Sequence, residues 1–451
     1  MTSLRRPPAG RRLARFRAQS DQFDAVGVLT LYLVLLVGVP AQLIFAPLGA
    51  AGTPAQMLAI GMLVWWVAHR LARLQPGSRA VQPVRRALLV FVVVLLASYY
   101  AGATRPIEDV ELRAADRGLL SLCAWAGIIL VTTEGLPTRN RLDVLLRRLV
   151  LAVGVLAALG VVQFLTGVNI VEYLQIPGFV ANTDYSELLA RADFRRPSAT
   201  ATHPIEFGVV LAMVLPIALH YAFNDTARGW RRWVPVGLIA MALPISISRT
   251  AIVGAVVALL FVLPTWSVRH RRRAYVAIAG MTMVIYLAVP GLLGTLRNLF
   301  VSLLGGVDSS ALSRTNSYAV AGEYIAERPF LGRGIGTFLP SYRILDNQYL
   351  ITTIEAGLLG VAALLALFLT GVFTARGVRR RSSDPIVRSL AQSLAAAAAA
   401  AMVSFATFDA LSFAMAAGMT FFLLGCVGAM WRLHVGLPSQ VDTVEGEAGS
   451  R

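Results

Sequence analysis

The sequence is poor in charge, poor in acidic residues and almost free of cysteine. Charged residues make up 14% of its 451 positions, whereas soluble domains carry about 25%. Only 24 residues are acidic against 41 Lys and Arg, which gives a net charge of +17. Two cysteines, Cys123 and Cys426, lie inside apolar runs, where they behave as small core residues. No disulfide framework or metal site follows from these two cysteines.

Apolar residues take the place of the missing charges. They account for 57% of the chain, and the mean hydropathy is +0.67. Repeated apolar runs of about 20 residues predict an all-α, polytopic integral membrane protein, because only such runs cross a bilayer as helices. About twelve spans meet this criterion: Val26–Phe45, Gln56–Ala72, Leu88–Ala101, Leu119–Thr133, Leu145–Thr166, Pro204–Phe223, Trp233–Ile247, Thr250–Pro264, Ala274–Val289, Tyr349–Thr374, Ser389–Ala406 and Leu411–Trp431.

The arginines lie mainly in alternate short loops between these spans. In a soluble protein this charge would suggest nucleic acid, but here it follows the positive-inside rule, with anionic lipid headgroups as a second explanation. All the basic loops fall on one side, together with the basic N-terminus and the C-terminal tail. We expect a multi-pass protein of a bacterial inner or plasma membrane, with both termini cytoplasmic and no cleaved signal peptide.

The same count predicts the order of segments along the chain. We expect a basic cytoplasmic tail at 1–24, nine helices within 25–290 with an outer loop at 167–203, a large outer loop at 291–347, three helices within 348–432 and a cytoplasmic tail at 433–451. The outer segment 102–117 forms a shorter loop. The loop at 291–347 is far longer than usual, which favours a functional role.

Within the large loop, Arg314–Glu327 has helical spacing. Ser313 is the expected N-cap, and Pro329 ends the run. Tyr318, Ala321, Tyr324 and Ile325 would form its apolar face. We expect an amphipathic helix at the outer boundary of the membrane.

Candidate anion-binding residues lie at the outer ends of the spans. Arg249 is either functional or an arginine that reaches the membrane interface. Arg195, Arg196 and His203 precede the span that begins at Pro204, where the positive end of the helix favours anions. For this group the alternative is simple capping, by Thr202 with His203 packed beside it.

Two further candidates lie in the large loop. Gly332, Gly334 and Gly336 surround Arg333, and they either approach a phosphate with their backbone or form a tight turn. Asp346 and Asn347 precede the tenth span, and Asp346 is either a general base, an Asx N-cap, or both. Because arginine holds phosphate oxygens in bidentate fashion, a membrane diphosphate is the natural ligand for this set.

Four segments in this order resemble the O-antigen ligase/polymerase superfamily: RRPSATATHPIEFG, SISRTAIVG, ERPFLGRGIGTF and DNQYLITTIEAGLLG. The resemblance implies a GT-C-like membrane glycosyltransferase that uses a polyprenyl-diphosphate-linked glycan and no metal, cofactor or nucleotide sugar. It implies that Arg196 and Arg249 hold the diphosphate, with Arg314 as the loop arginine. Ligases of the family carry His-Asn where this chain has Asp346-Asn347. This difference favours a polysaccharide polymerase or another glycan-transfer branch.

The sequence thus predicts transfer of a glycan to an acceptor hydroxyl, with inversion. Arg196 and Arg249 would stabilise the leaving diphosphate, and Asp346 would accept the proton. The expected substrate-binding residues are Arg195, His203, Arg314, Arg333 and Asn347. The alternatives are a transporter or flippase of an anionic solute or lipid-linked glycan, for which Glu355 in the tenth span is the main support, and a membrane subunit of a cell-wall assembly complex.

Overall fold

The computed structural model describes residues 25–72, 82–183, 188–191, 194–289 and 309–435, with a few single positions between 291 and 301. The described chain is mainly helical. Its helices are α1 (Val26–Gly38), α2 (Pro54–Ala72), α3 (Pro83–Ala103), α4 (Asp109–Glu134), α5 (Arg139–Thr166), α6 (Pro204–Asn224), α7 (Val234–Ile245), α8 (Arg249–Val262), α9 (Val268–Ala288), α10 (Ser309–Glu327), α11 (Gln348–Arg381), α12 (Pro385–Ser404) and α13 (Ala414–Val435). Two short antiparallel pairs join β1 (Leu43–Ile44) to β2 (Val180–Ala181) and β3 (Ala190–Arg191) to β4 (Phe194–Arg195).

Among the described helices, eight are long and apolar enough to cross a membrane, namely α2, α3, α4, α5, α6, α11, α12 and α13. This agrees with the expected all-α membrane protein. Helices α1, α7 and α8 have only 13, 12 and 14 residues. A helix of 12 to 14 residues is shorter than the roughly 20 residues that a membrane span needs. The count of twelve spans therefore stays a prediction.

Several expected boundaries are wrong, each for a local reason. Helix α1 ends at Gly38 rather than Phe45, because Pro40 follows and Leu43–Ile44 pairs with β2. Helix α4 begins at Asp109, inside the expected outer loop. Asp109 and Glu111 are acidic residues of its first turn, where they complement the positive end of the helix.

The amphipathic helix is present, but it is longer than expected. Helix α10 begins at Ser309, so Ser313 lies inside the helix and does not cap it. Ala321 is buried against Phe338 and Ile354, and Tyr324 is partly buried there. Tyr318 is 54% exposed, so the buried face is narrower than the sequence predicts.

Helices α6, α12 and α13 form the centre of the bundle, because most of their membrane-length windows are buried. The alanine run Ala395–Ala401 in α12 is almost wholly buried. Its small side chains allow close packing: α8 approaches at Gly254, beside the carbonyl of Ala400, and α11 approaches at Gly371, beside Ala398.

The bundle has two chemically different ends. One end holds the segments 102–108, 167–183, 194–203 and 329–347, and we name it the long-loop end. There Arg105 donates to the Arg333 carbonyl, and Asn182 N–H donates to the Gln42 carbonyl. At the other, the basic end, ion pairs join the arginine-rich loops. Arg139 pairs with Asp384 at 2.9 Å, and Arg70 pairs with Glu134 at 2.9 Å. The grouping of basic loops at one end is what the positive-inside pattern predicts.

Helix α11 is broken near the long-loop end. Gly357 has φ +66° and a non-helical backbone, so the helical hydrogen bonds are interrupted around it. Residues of the preceding loop bind the freed groups. The N–H groups of Arg333 and Gly334 donate to the carbonyls of Ile354 (3.0 Å) and Glu355 (2.9 Å), and Leu358 N–H donates to Pro329 (2.8 Å). The loop therefore completes the backbone hydrogen bonding of a membrane helix.

Candidate active site

Arg196 and Arg249 come from different elements that meet at one turn of the long-loop end. Arg196 follows β4 and is only 6% exposed. Its Nε donates to the carbonyl of Ser246 at 3.1 Å, in the turn that leads from α7 to Arg249. Ser248 caps α8, since its hydroxyl accepts from Ala251 N–H at 3.3 Å, and Arg249 is then the first helical residue. Two arginines far apart in sequence are thus brought to one turn.

Backbone strain marks both segments that carry these arginines. Ala199 has φ +52° and Ile247 has φ +47°, and in the described chain these are the non-glycine residues with positive φ. Both are buried, and Ile247 is β-branched, for which this conformation is a true outlier. Such conformations cost about 1–3 kcal/mol each and cluster at functional sites.

His203 lies at the start of α6 and is its N-cap. Its Nδ1 accepts from Ile205 N–H at 3.1 Å, so the cap is His203 rather than Thr202. In a neutral ring whose Nδ1 accepts, Nε2 carries the hydrogen and can donate. The ring of Phe413 lies nearby, with the two ring centroids 6.2 Å apart. Capping thus uses the Nδ1 lone pair of His203.

The buried carboxylate of Glu206 links the start of α6 to the start of α13 through hydrogen bonds. Glu206 accepts from Thr202 N–H at 2.7 Å with one oxygen. Its other oxygen accepts from the N–H groups of Met415 (2.8 Å) and Ala416 (3.0 Å). These N–H groups at the start of α13 have no partner within the helix, so Glu206 satisfies them and fixes the segment before α13.

Asp346 and Asn347 have different roles at the start of α11. The side-chain oxygen of Asn347 accepts from the N–H groups of Tyr349 (3.0 Å) and Leu350 (3.3 Å), which makes Asn347 the N-cap. The alternative of Asp346 as the cap is therefore wrong. Asp346 is exposed at the long-loop end, which leaves its carboxylate accessible to a substrate.

The loop between α12 and α13, residues 405–413, contacts both groups of candidates. Gln348 N–H donates to the carbonyls of Phe405 (2.9 Å) and Phe408 (3.1 Å), and its side-chain oxygen accepts from Leu411 N–H at 2.8 Å. The loop therefore lies against the start of α11, next to Asp346. Through Phe413 it also reaches His203. The loop therefore lies between His203 and the start of α11.

Asp409, in the middle of this loop, is a carboxylate that the sequence argument missed. Burial raises its pKa to about 6, and the charges of Asp346 and Glu206 act in the same direction. Asp346 is thus close enough for its charge to act on Asp409. A carboxylate with such a pKa is a better proton acceptor near neutral pH than an ordinary aspartate.

Asp409 also lines a cavity of about 550 Å³. The wall contains two arginines, Arg117 and Arg343, and the buried carboxylate of Glu355. In the part of the chain that the structure describes, the Arg117 guanidinium makes no hydrogen bond or ion pair. The remaining wall is largely apolar, with side chains such as Tyr32 and Leu36 of α1. The cavity combines an apolar lining with two arginines and two carboxylates, Asp409 and Glu355, which suits an amphipathic ligand.

Arg333 lies in a separate cluster, in which its Nη2 is paired while its buried Nε makes no hydrogen bond within the described residues. It forms an ion pair with Glu111, which also pairs with Arg105 at 2.6 Å. Its guanidinium lies 4.7 Å from the ring centroid of Tyr324 and 5.3 Å from that of Tyr342. The surrounding glycines form the loop that completes α11, and the N–H groups of Arg333 and Gly334 are occupied there. The tight-turn interpretation fits this arrangement, and the substrate role of Arg333 stays a prediction.

Arg195 and Arg314 are not brought to the arginine turn. Arg195 is exposed, and its Nη1 donates to the carbonyl of Gly167 at 3.3 Å, at the end of α5. Arg314 belongs to α10, but its side chain is outside the described residues. Their assignment to the substrate site is therefore still a prediction.

Among the described residues, no group of three or more His, Cys, Asp or Glu could hold a metal ion. The expected absence of a metal is not tested by this finding.

The functional candidates that the sequence argument missed carry only weak local signals. Asp409 is the one carboxylate between Asp384 and Asp442, in a short polar break between two apolar spans. An ionisable residue so placed is costly, and that signal could have identified it. Arg117 and Arg343 sit in ordinary mixed-charge loop sequence, where nothing distinguishes them from solvated arginines.

Comparison with known families finds a match over part of the chain. Residues 234–365 match the family model described as O-antigen ligase. The match extends from α7 into α11, so it includes Arg249 and Asp346 but neither Arg196 nor Asp409. No curated protein gives a significant match. The resemblance to the O-antigen ligase/polymerase superfamily is thereby confirmed.

Proposed function

We propose that this O-antigen ligase-related protein is a membrane glycosyltransferase of the polysaccharide polymerase or ligase type. It takes a glycan from a polyprenyl diphosphate and joins it to a hydroxyl of an acceptor glycan at the outer face of a bacterial plasma membrane. The observation that carries the proposal is the convergence of Arg196, Arg249, Asp346 and Asp409 at one end of the bundle.

The two arginines bind the diphosphate. Planar guanidinium groups hold phosphate oxygens in pairs, and the strained turns at Ala199 and Ile247 fix the segments that present them. When the bond from the anomeric carbon to the diphosphate oxygen breaks, negative charge grows on the leaving oxygen. Arg196 and Arg249 stabilise that charge in the transition state.

The carboxylates accept the acceptor's proton. The hydroxyl oxygen attacks the anomeric carbon from the side opposite the diphosphate, the new glycosidic bond forms, and inversion follows. The hydroxyl proton passes to the Asp346–Asp409 pair, in which Asp409 has its pKa raised to about 6. The polyprenyl diphosphate leaves with the bonding electrons.

The cavity of about 550 Å³ receives part of a substrate, with Arg117 and Arg343 as its cationic groups. Its mixed lining suits a lipid-linked anion better than a free sugar, because a sugar needs many polar partners. His203, Arg195, Arg314, Arg333 and Asn347 are proposed as secondary contacts to phosphate or sugar.

A transporter or flippase remains the second candidate because α11 is broken and Glu355 lies in the cavity wall. Broken helices at mid-membrane carry the ion and substrate sites of many transporters. In this protein the loop at 329–334 binds the freed backbone groups of α11, so they do not coordinate a solute. This observation favours the transferase.

An in vitro transfer assay tests the proposal. Purified protein receives a polyprenyl-diphosphate oligosaccharide and an acceptor glycan, and the products are sized by gel and mass spectrometry. A ladder of repeats indicates a polymerase, and a single added block indicates a ligase. The same protein in proteoliposomes without acceptor is assayed for flux of the lipid-linked glycan.

The Arg196→Ala variant should lose transfer, whereas Arg113→Ala should keep it. Arg113 is an exposed arginine at the same end of the bundle, which makes it a matched control. Flux with no transfer in the wild-type protein would overturn the transferase in favour of the transporter.

A further inference from the structure

A second cavity, of about 600 Å³, lies at the basic end, where α5, α6 and α7 meet. Its wall includes three arginines: Arg147 of α5, and Arg231 and Arg232 of the segment before α7. It is distinct from the candidate active site, because it shares no lining residue with the cavity that Asp409 lines.

The charges of this cavity are unbalanced. Arg147 forms an ion pair with Asp225, and its guanidinium lies 4.7 Å from the ring centroid of Tyr221. That pair neutralises one arginine. Asp225 is the one acidic residue that lines the cavity. Arg231 and Arg232 therefore remain without a neutralising acidic residue in the cavity wall.

Arg232 also has unused donors. Its Nε and Nη1 are buried, and within the described residues neither makes a hydrogen bond. Buried side-chain donors almost always have a partner, so each exception needs an explanation. A donor pair on a planar guanidinium beside a cavity matches the oxygens of a phosphate.

The surface beside the cavity is apolar. Leu151, which lines the cavity, is 63% exposed, and Val155 on the next turn of α5 is 62% exposed. Such residues on a membrane-crossing helix face lipid chains. Trp230, also in the wall, is 74% exposed, and exposed tryptophans favour the level of the lipid headgroups. A phosphate in the cavity would therefore lie directly above an acyl-chain surface.

We propose that this cavity binds the phosphate of an anionic phospholipid, with its acyl chains along α5. Arg231 and Arg232 hold the phosphate oxygens, and Trp230 packs beside the glycerol region. By the positive-inside rule this end is cytoplasmic, where anionic lipids attract basic segments. The lipid joins α5 to the start of α7 and so stabilises the bundle. The proposal does not depend on the glycan-transfer activity.

Native mass spectrometry of the full-length protein tests the site. The detergent-purified, delipidated protein is mixed with phosphatidylglycerol, with phosphatidylcholine or with inorganic phosphate, and the retained adducts are counted. The Arg231→Gln/Arg232→Gln variant should retain about tenfold less phosphatidylglycerol than the wild type. The Arg376→Gln/Arg380→Gln variant, which removes two exposed arginines elsewhere on the basic end, should retain it normally.

Other outcomes are decisive as well. Trp230→Ala, which keeps all the charges, should weaken retention less than the arginine variant, and it covers the case in which the arginine variant fails to fold. Equal retention of phosphatidylcholine and phosphatidylglycerol would overturn the proposal. So would equal losses in the two double variants. Retention of inorganic phosphate in place of the lipid would assign the cavity to a soluble phosphate and overturn the lipid site.

Discussion

Two regions of the long-loop end differ in backbone conformation and in charge pairing: the loop at 329–336 and the turns beside Arg196 and Arg249. In the loop at 329–336, the positive-φ residues are glycines, and the Arg333 guanidinium is paired with Glu111. In the turns beside Arg196 and Arg249, positive φ falls on Ala199 and Ile247 instead. In the adjacent loop at 405–413, burial raises the pKa of Asp409, and the charges of Asp346 and Glu206 act in the same direction.

This difference distinguishes a loop that stabilises the fold from the region that we propose as the active site. Glycine adopts positive φ without steric cost, and paired charges are stable, so the first loop adds rigidity to α11. Non-glycine residues at positive φ and neighbouring like charges both cost free energy. A fold keeps such features where they serve a function, which is why we assign the chemistry to the second region.

The largest expected effect is on catalysis at the strained turn. Arg249→Ala should reduce transfer about a thousandfold, roughly 4 kcal/mol of transition-state stabilisation, because it removes a donor to the leaving diphosphate. Its thermal midpoint should stay close to that of the wild type. The comparison is a transfer assay beside a thermal unfolding scan, with Arg113→Ala as the control. Normal transfer by Arg249→Ala would remove Arg249 from the site.

Where α11 contacts the loop at 329–336, we expect an effect on stability rather than on catalysis. A Cβ on Gly357 would lie 2.1 Å from the carbonyl oxygen of Phe330, and its φ of +66° disfavours any side chain. Gly357→Ala should therefore destabilise the protein by about 3 kcal/mol, by strain and by displacement of the loop. Thermal unfolding in detergent measures this effect.

Gly61→Ala provides the control for Gly357→Ala, because Gly61 has open space around its Cα. It should be as stable as the wild type or slightly more so. If both alanine variants unfold at the same temperature, the loop does not hold α11 in the way that we describe.

A smaller effect is expected from the carboxylate pair. Asp409 must be deprotonated to accept a proton, so activity should rise as the pH increases through about 6 and then level off. Asp409→Asn should lower transfer about a hundredfold and remove that rise. The measurement is the rate of transfer from pH 4.5 to 8.

Asp109→Asn, which changes an exposed carboxylate at the same end, should keep the wild-type profile. If the transfer rate of Asp409→Asn still rises through pH 6, a group other than Asp409 is the proton acceptor.

The smallest expected effect is on stability, from the backbone strain at Ala199. Ala199→Gly removes a buried methyl group, worth about 0.8 kcal/mol, but relieves a left-handed alanine at about 1 kcal/mol. Stability should be unchanged or slightly higher. Ala201→Gly, at a buried alanine without positive φ, should instead destabilise by about 1 kcal/mol. Equal losses in the two variants, measured by thermal unfolding, would contradict the strain at Ala199.

Much of the fold follows from local pattern. Apolar runs of membrane length gave helices at or near most of the expected positions, because hydropathy is a property of each segment alone. Boundaries were less accurate where a neighbour decided them. Helix α1 stops at Gly38 since Leu43–Ile44 pairs with a strand far along the chain, and no local signal reports that pairing.

Only part of the candidate site could be predicted from local sequence. Arg196, Arg249 and Asp346 were identifiable because a charge at the end of an apolar span is unusual. The division of labour between Asp346 and Asn347 was not, since either residue type caps a helix. The pairing of Arg333 was not predictable either, because its partner Glu111 lies more than two hundred residues away in the sequence.

By itself, the sequence determined a helical membrane protein, the grouping of its basic loops and the arginines that face the other side, since these depend on hydropathy and charge along the chain. Only the tertiary structure decided which groups share one space. It joined Arg196 to the turn at Ser246, placed Asp409 in one cavity wall with Arg343 and left Arg232 with buried donors at the opposite end. Those relations depend on contacts between distant segments, and they arise only when the helices pack together.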